Sequence, residues 1–138
     1  EERKAITHKF RVGEQEGYIT VGLYDDGLPG EIFLKMSKEG TMLSGLMDCF
    51  ATSISLGLQY GVPLKILARK FMNVQFAPYG ETENPNIPTA HSMIDYVFRW
   101  LALKFLSPEE RQSIQEEVEA SHAAPVTALE ESIGRLSL

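Results

Sequence analysis

The chain offers few side chains that could carry out covalent chemistry. Cys49 is its single cysteine, so no internal disulfide and no multi-cysteine zinc site can form within this chain. Cys49 could serve as a nucleophile or a redox thiol. Its position between Asp48 and Phe50, on a helix that we expect to face the core, favours a buried thiol instead, because free cysteine is among the most buried residue types.

Three histidines are the other candidates for acid–base or metal chemistry. His8, His91 and His122 are far apart in the sequence, and none stands at metal-ligand spacing from a carboxylate or a cysteine. Surface or capping roles are therefore favoured. His91 and Asp95 are four residues apart and could meet on one helical face, a pair that is more often structural than catalytic. We predict no catalytic residue and no metal site in this chain.

A site for a small anion is suggested at the start of the helix predicted from Met42. Free backbone N–H groups at a helix start, with lysines nearby, can hold a phosphate. An ordinary capped helix on a solvated turn is the favoured alternative, because any capped helix offers similar groups. The candidate anion- or nucleotide-binding residues are Lys38, Gly40, Thr41 and Ser44.

Aromatic residues could also line an apolar groove. Phe76, Pro78, Tyr79 and Trp100 are the candidates, although core packing is the more common position of such aromatics. No phosphate-loop motif, nucleophile elbow or zinc-protease motif is present in the sequence. No self-contained active site therefore follows from the sequence.

Composition limits the partners and the compartment. Among the 138 residues, 13 are basic and 19 acidic, which gives a net charge of −6 and argues against nucleic acid as a partner. No apolar run reaches the roughly 20 residues needed to span a bilayer. No basic segment followed by an apolar one opens the chain, so we expect no export and a cytoplasmic location. Since the first residue is Glu1, we also expect a fragment of a longer chain.

The first third of the chain predicts three strands. Residues 8–12, 18–24 and 31–36 are extended runs rich in β-branched and aromatic residues, and residues 25–30 between the last two are dense in turn formers. The Asp26-Gly27 pair marks the tip of a hairpin or lies beside it. The sequence therefore predicts an antiparallel β-meander.

Most of the remaining chain predicts helices. From residue 42 to 60, large apolar residues recur every three or four positions, which is the spacing of one helical face. Gly45 and Gly57 lie among them, and each costs about 1 kcal/mol relative to alanine in an exposed helix. We therefore expect another backbone to approach this helix closely and the helix to form the centre of the fold. Gly61 is predicted to close it in the left-handed conformation.

Further helices follow at 63–72 and 89–105, separated by a long ordered loop over residues 73–88. Ser107-Pro108-Glu109-Glu110 predicts a helix start. The predicted class is α+β, with an N-terminal antiparallel β-meander packed against a bundle of three or more helices. Residues 1–106 are predicted to be the domain, and residues 107–138 a helical appendage or a linker toward a missing tail, whose order could depend on a partner.

Several strings resemble the C-terminal region of adenosylcobalamin-dependent, class II, ribonucleotide reductases. The resemblance runs from about residue 8 to 106 and is to the small accessory domain, called TSCPD, that follows the catalytic barrel. The Thr-Ser-Cys-Pro-Asp string that names the domain is absent here. The matching stretches are residues 18–24, 26–27, 29–33, 38–40, 44–48, 58–64, 76–78, 84–88, 95–96 and 98–106.

This resemblance implies a non-catalytic domain of a deoxynucleotide-forming oxidoreductase. In that family the radical cysteine and its reducing pair belong to the barrel, and the pair that re-reduces them belongs to a C-terminal tail. With Cys49 alone, none of these roles can be carried over. The isolated chain is thus predicted to be inactive and to hold no cofactor, while the parent enzyme would bind adenosylcobalamin, mainly through its barrel.

Two functional hypotheses stay open at this point. In the first, the domain docks on the catalytic barrel and positions the redox tail. In the second, it is a regulatory module that senses a nucleotide or a phosphate at residues 38–44. The candidate partners are the barrel, a nucleotide and a second copy of the chain, with no nucleic acid and no membrane.

Overall fold

The computed structural model describes residues 2–37 and 40–123, apart from the side chains of Thr41 and of residues 121–123. Three strands come first and four helices follow, with a two-stranded ribbon between the second and third helices. This arrangement confirms the predicted α+β class. The elements are β1 (Ala5–Val12), β2 (Gln15–Leu23), β3 (Pro29–Met36), α1 (Thr41–Gln59), α2 (Leu64–Phe71), β4 (Gly80–Glu81), β5 (Thr89–Ala90), α3 (Met93–Phe105) and α4 (Pro108–Ala123).

The three long strands form an antiparallel sheet in the order β1-β2-β3. Alternate residues of each strand are buried, as expected when one face of a sheet packs on a core. A tight turn joins β1 to β2, and Gly13 there adopts a φ of +59°, which glycine tolerates without strain. The buried alternating residues are Phe10, Val12, Ile19, Val21, Ile32 and Leu34. The predicted meander is therefore confirmed, with each strand starting two or three residues earlier than expected.

Helix α3, rather than α1, forms the centre of the core. Nine of its residues are buried, whereas α1 buries only Ala51, Ile54 and Ser55. Met47, Phe50 and Leu58 of α1 pack against the core from its side. The prediction that α1 forms the centre was wrong because α1 carries large apolar residues on two faces, and periodicity alone does not say which face is covered.

Two further predictions about α1 were wrong because they assumed the wrong buried face of the helix. Cys49 is exposed rather than buried, because it lies on the helix face opposite to Ala51 and Ile54. A methyl group added at Gly45 would meet nothing within 4 Å, and one at Gly57 would lie 3.9 Å from Val62. Among the residues that the structure describes, no neighbouring backbone approaches either glycine, so the close-packing prediction was wrong. Gly61 does end the helix with a φ of +92°, as predicted.

The segment between α2 and α3 is a loop that contains the β4–β5 ribbon. Gly80 pairs with Ala90 and Glu81 with Thr89, so the third helix begins at Met93 rather than at residue 89. Ser92 caps it by accepting a hydrogen bond from the Asp95 amide at 2.9 Å. This cap replaces the predicted contact of His91 and Asp95 on one helical face.

Helix α4 begins with a capping box. The Glu110 amide donates to Ser107 Oγ at 3.1 Å, and the Ser107 amide donates to Glu110 Oε1 at 3.2 Å, so two N–H groups of the first turn are satisfied. Ile114 is buried in the core, and Arg69 of α2 lies 2.6 Å from Glu117. The domain boundary near residue 106 stays a prediction, and residues 124–138 lie outside the described part of the chain.

Candidate functional site

The structure places the predicted anion-binding residues as follows. Gly40 is the residue before α1 and provides no side-chain cap to the helix. Ser44 is half-buried in the first turn, and its amide donates to the Gly40 carbonyl at 3.1 Å. Lys38 lies outside the described residues, as does the side chain of Thr41. Anion binding here stays a prediction, for which a phosphate titration followed at the Ser44 amide is the test.

A large surface depression lies elsewhere, along β1. It is an open groove of about 890 Å³, which we call the β1 groove. Six consecutive residues of β1, from Ile6 to Arg11, form one side. The other side is formed by residues 83–86 of the loop, by Arg111 of α4, and by Tyr96, Trp100, Leu103 and Lys104 of α3. Consecutive strand residues point to opposite faces of a sheet. Since six consecutive residues of β1 line the groove, the groove runs along the edge of the sheet.

A hydrogen-bonded aromatic cluster forms the floor of the β1 groove. The Tyr96 hydroxyl lies 2.8 Å from His8 Nε2 and accepts from Asn84 Nδ2 at 3.0 Å. The Tyr96 O–H is thus free to donate to a neutral His8 ring. His8 stacks on Trp100 with ring centroids 4.9 Å apart, and Phe10 stacks on Tyr96 at 4.6 Å. The cluster ties β1 to α3 and fixes the position of the loop through Asn84.

Burial shifts the pKa values of the two titratable groups in this cluster. Desolvation and, to a smaller extent, the nearby charge of Lys104 lower the pKa of His8 from its usual 6.5. Desolvation likewise raises the pKa of Tyr96, against a smaller opposing effect of its hydrogen bond from Asn84. Both groups are therefore neutral near pH 7. Their arrangement suits shape and hydrogen-bond recognition, with no nucleophile or ionised base.

Positive side chains line the rim of the β1 groove. Lys104 lies 5.8 Å from the centre of the Trp100 ring, and neither Lys104 nor Arg111 makes an ion pair within the described residues. Arg11 lies 2.5 Å from Glu16, which also lies 3.7 Å from Lys9. The Arg11–Glu16 hydrogen bond raises the pKa of Arg11 and lowers that of Glu16. The rim carries a positive excess on a protein whose net charge is −6.

Asp95 anchors the loop that completes the groove. Its side chain has 0% exposure and accepts from the amides of Asn73 at 2.6 Å and His91 at 2.8 Å. Arg99 Nε donates to both carboxylate oxygens, at 2.9 and 3.0 Å, and its guanidinium also bonds Asn73 Oδ1. Both ends of the loop thus converge on one carboxylate. Ser92 Oγ adds a bond to the Val74 carbonyl at 2.6 Å.

A second exposed feature is an apolar stripe on α1. Met42, Leu46, Leu56 and Tyr60 are spaced by four, ten and four residues, which places them on one side of the helix. The exposed fractions are 80% for Met42, 60% for Leu46 and 87% for Tyr60. Cys49 lies on the same side, near the middle of the stripe. We call these residues the α1 stripe.

The predicted aromatic groove is not assembled as one site. Trp100 is buried and stacks on His8, whereas Phe76, Pro78 and Tyr79 are exposed. The prediction of core packing was therefore correct for Trp100 and wrong for the other three. The contact between His8 and Tyr96 was not predicted from the sequence. The only signal for it was weak: Tyr96 and Trp100 share one helical face, and His8 and Phe10 share one strand face.

Residues 2–37 and 40–123 contain neither a cluster of metal ligands nor a membrane-spanning helix. No group of three or more potential metal ligands comes together there. None of the helices in this part of the chain has the length and hydropathy to cross a membrane.

The fold and the groove define a small α+β domain with one open sheet edge. Residues 1–105 match the TSCPD domain model, and the chain belongs to the TSCPD domain family. This finding confirms the resemblance that the sequence motifs indicated. No solved structure matches the chain significantly.

Curated relatives extend the comparison to longer proteins. The chain is 49% identical over 105 residues to the vitamin B12-dependent ribonucleotide reductase of Rhodopirellula baltica, covering 76% of this chain and 10% of that protein. It is 52% identical over 113 residues to the proteins of the same name from Streptomyces avermitilis and Streptantibioticus cattleyicolor, covering 81% of this chain and 12% and 19% of those proteins. The chain thus spans about a tenth of the first two relatives, and corresponds to a small domain of a larger enzyme.

Proposed function

We propose that this chain is an accessory domain of a vitamin B12-dependent ribonucleotide reductase, where it docks on the catalytic barrel through the α1 stripe and positions the redox tail. Membership of the TSCPD family and the names of the relatives support the parent enzyme. The α1 stripe is the observation that supports docking.

The α1 stripe has the properties of a covered surface. Single exposed apolar residues are common, but contiguous patches of large ones are typical of interaction sites. Burying Met42, Leu46, Leu56 and Tyr60 together would contribute several kcal/mol at about 25 cal/mol per Å² of apolar area. The first two turns of α1 carry two of these side chains, and none of the side chains described there is buried. A larger partner such as the barrel supplies the missing apolar surface.

Adenosylcobalamin would act in the parent enzyme rather than in this domain. His8 is the histidine of the β1 groove, and its Nε2 is already hydrogen-bonded to Tyr96 while its ring stacks on Trp100. The β1 groove therefore does not present a free histidine that fits the cofactor.

The test compares Leu46→Asp with Gln112→Asp in the full-length reductase. Both positions are exposed and both changes add one negative charge, but Gln112 lies on α4, away from the α1 stripe. We expect Leu46→Asp to abolish most of the multiple turnover supported by a dithiol reductant, and to leave a single turnover of pre-reduced enzyme unchanged. This separation is expected because docking serves re-reduction rather than the chemical step. Gln112→Asp should behave as the parent in both assays.

Cys49 offers a direct measure of docking. In the isolated chain, its exposed thiol should react rapidly with a thiol reagent, whereas in the full-length enzyme the docked barrel should slow that reaction at least about tenfold. Peptide mapping locates the label. Equal labelling rates in the two proteins, together with full turnover of Leu46→Asp, would contradict the proposed docking.

A further inference from the structure

We propose that the β1 groove binds an extended acidic peptide segment, which joins the sheet as a fourth strand beside β1. The inference rests on β1, α3 and α4, so it is independent of docking through the α1 stripe. Three observations support it: an unpaired strand edge, a groove running along that edge, and a rim with excess positive charge.

The unpaired edge follows from the pairing of β1 with β2. The Leu23 amide donates to the Lys4 carbonyl at 2.8 Å, and the β1–β2 register is continuous. Because the backbone groups of alternate residues face opposite sides of an antiparallel strand, those of Ala5, Thr7 and Lys9 face away from β2. Within the described residues, no strand pairs with this part of β1.

The C-terminal end of the same edge already pairs with another backbone segment. Val12 forms an antiparallel bridge with Thr82, and the Gly13 amide donates to the Glu81 carbonyl at 2.9 Å. The chain then turns away from the edge through residues 83–86 and leaves the groove open. At about 3.3 Å per residue, Ala5 to Lys9 presents about 13 Å of free edge, which matches a segment of about five residues.

The positive charges of the rim favour acidic side chains on that segment. Lys104 and Arg111 stand across the groove from β1 without an ion pair in the described chain. Arg11 Nε is buried without a hydrogen-bond partner and lies 3.8 Å from Glu83 Oε1. Acidic side chains on an added strand would meet these cations. A small anion would use the cations but leave the row of backbone groups unpaired, so the edge favours a peptide.

Binding can be measured on the 138-residue chain with a fluorescein-labelled, end-capped peptide in which threonine and valine alternate with glutamate. One control peptide replaces each glutamate by lysine, and another carries N-methyl groups that remove its backbone donors. We expect saturable binding of the glutamate peptide, weakened by salt, and no saturable binding of either control. Hydrogen exchange at the Thr7 and Lys9 amides should slow on binding, because these amides become the donors to the new strand.

Variants locate the peptide in the β1 groove. Lys104→Glu combined with Arg111→Glu should weaken binding about tenfold or more, since two attractive contacts become repulsive. The matched control, Lys35→Glu with Lys65→Glu, makes the same change in net charge at exposed positions outside the groove and should change affinity by no more than about twofold. A thermal unfolding curve checks that both double variants are folded.

Three results would overturn the proposal. One is the absence of saturable binding up to millimolar peptide. Another is equal binding of the lysine or the N-methyl peptide. The third is tight binding of inorganic pyrophosphate that displaces the glutamate peptide while exchange at Thr7 and Lys9 stays unchanged, which would identify a small-anion site instead.

Discussion

The two edges of the sheet differ in whether their backbone groups are covered: α1 covers the β3 edge, and the β1 edge faces a groove. At the β3 edge, α1 lies against the strand, and Ser55 Oγ accepts from the Ile32 amide at 2.9 Å and donates to the Ile32 carbonyl at 3.1 Å. At the β1 edge, the backbone groups of Ala5, Thr7 and Lys9 face a groove. One hydroxyl thus replaces a neighbouring strand at the first edge, and the second edge remains available.

This difference indicates how a small sheet can separate stability from recognition. Buried backbone groups must be hydrogen-bonded, so the covered edge needs Ser55. An exposed edge risks pairing with other chains, and charged residues commonly reduce that risk. Lys9 and Arg11 provide such charges on β1. The backbone groups of the β3 edge are therefore used within the fold, whereas the charges beside the β1 edge determine which segment can pair with it.

The largest expected effect is at Asp95, which anchors the loop that completes the open side. Asp95→Ala would leave two amides and the Arg99 guanidinium without their buried acceptor, at a cost of about 3–5 kcal/mol in the free energy of unfolding. Urea denaturation measures it, with Asp48→Ala at an exposed position as control. A loss below about 1 kcal/mol would mean that the loop holds its position without Asp95.

At the covered edge, Ser55→Ala should cost about 1–3 kcal/mol, because the Ile32 amide and carbonyl would stay buried beneath α1 without a partner. Ser53→Ala is the matched control: its hydroxyl donates to the Cys49 carbonyl at 2.9 Å on the exposed side of the same helix, and its loss should stay within about 0.5 kcal/mol. Denaturation midpoints compare the two. Equal effects would show that Ser55 is not needed to satisfy the edge.

A substitution at Gly45 tests whether the start of α1 packs against a neighbouring segment. Gly45→Ala should raise the free energy of unfolding by up to about 1 kcal/mol, because the new methyl group meets nothing within 4 Å and alanine favours the helix. This expectation replaces the close approach of another backbone that was predicted from the sequence. A lower denaturation midpoint for Gly45→Ala would indicate an unrecognised contact near the start of α1.

The smallest effect concerns His8 on the open side. Its folded pKa is lowered from 6.5, so at acidic pH the unfolded state binds more protons than the folded state. The stabilisation from neutral His8 is therefore complete above about pH 6.5 and is lost as the pH falls through the folded pKa. Comparing the free energy of unfolding at about pH 7.5 and pH 5.5 should show a smaller fall for His8→Gln than for the parent. An identical fall would contradict the role of His8.

The sequence predicted the parts of the fold that depend on local pattern. Extended runs rich in β-branched and aromatic residues, with turn formers between the last two, predicted the meander, and the Ser107-Pro108 start predicted α4. It failed on α1 because both the core-facing and the exposed sides carry large apolar residues. Ser55 resembled any small helical residue, since nothing local distinguishes an edge-capping hydroxyl.

The β1 groove could not be predicted for a different reason. Its residues come from β1, the loop, α3 and α4, and no periodicity reports a pairing between His8 and Tyr96. The predicted anion-binding residues, by contrast, are consecutive or nearly so, which made them easy to propose. Spatial sites built from distant segments need the tertiary structure.

The His8–Tyr96 hydrogen bond also bears on the order of folding. It joins residues 88 positions apart, whereas β1, β2, β3 and α1 contact their neighbours in sequence. Contacts between near neighbours form with a small loss of chain entropy, and distant ones need a large loop to close. We therefore expect the meander and α1 to assemble early, and the wall of the β1 groove to be completed late. Replacing His8 should then mainly accelerate unfolding and leave the refolding rate nearly unchanged.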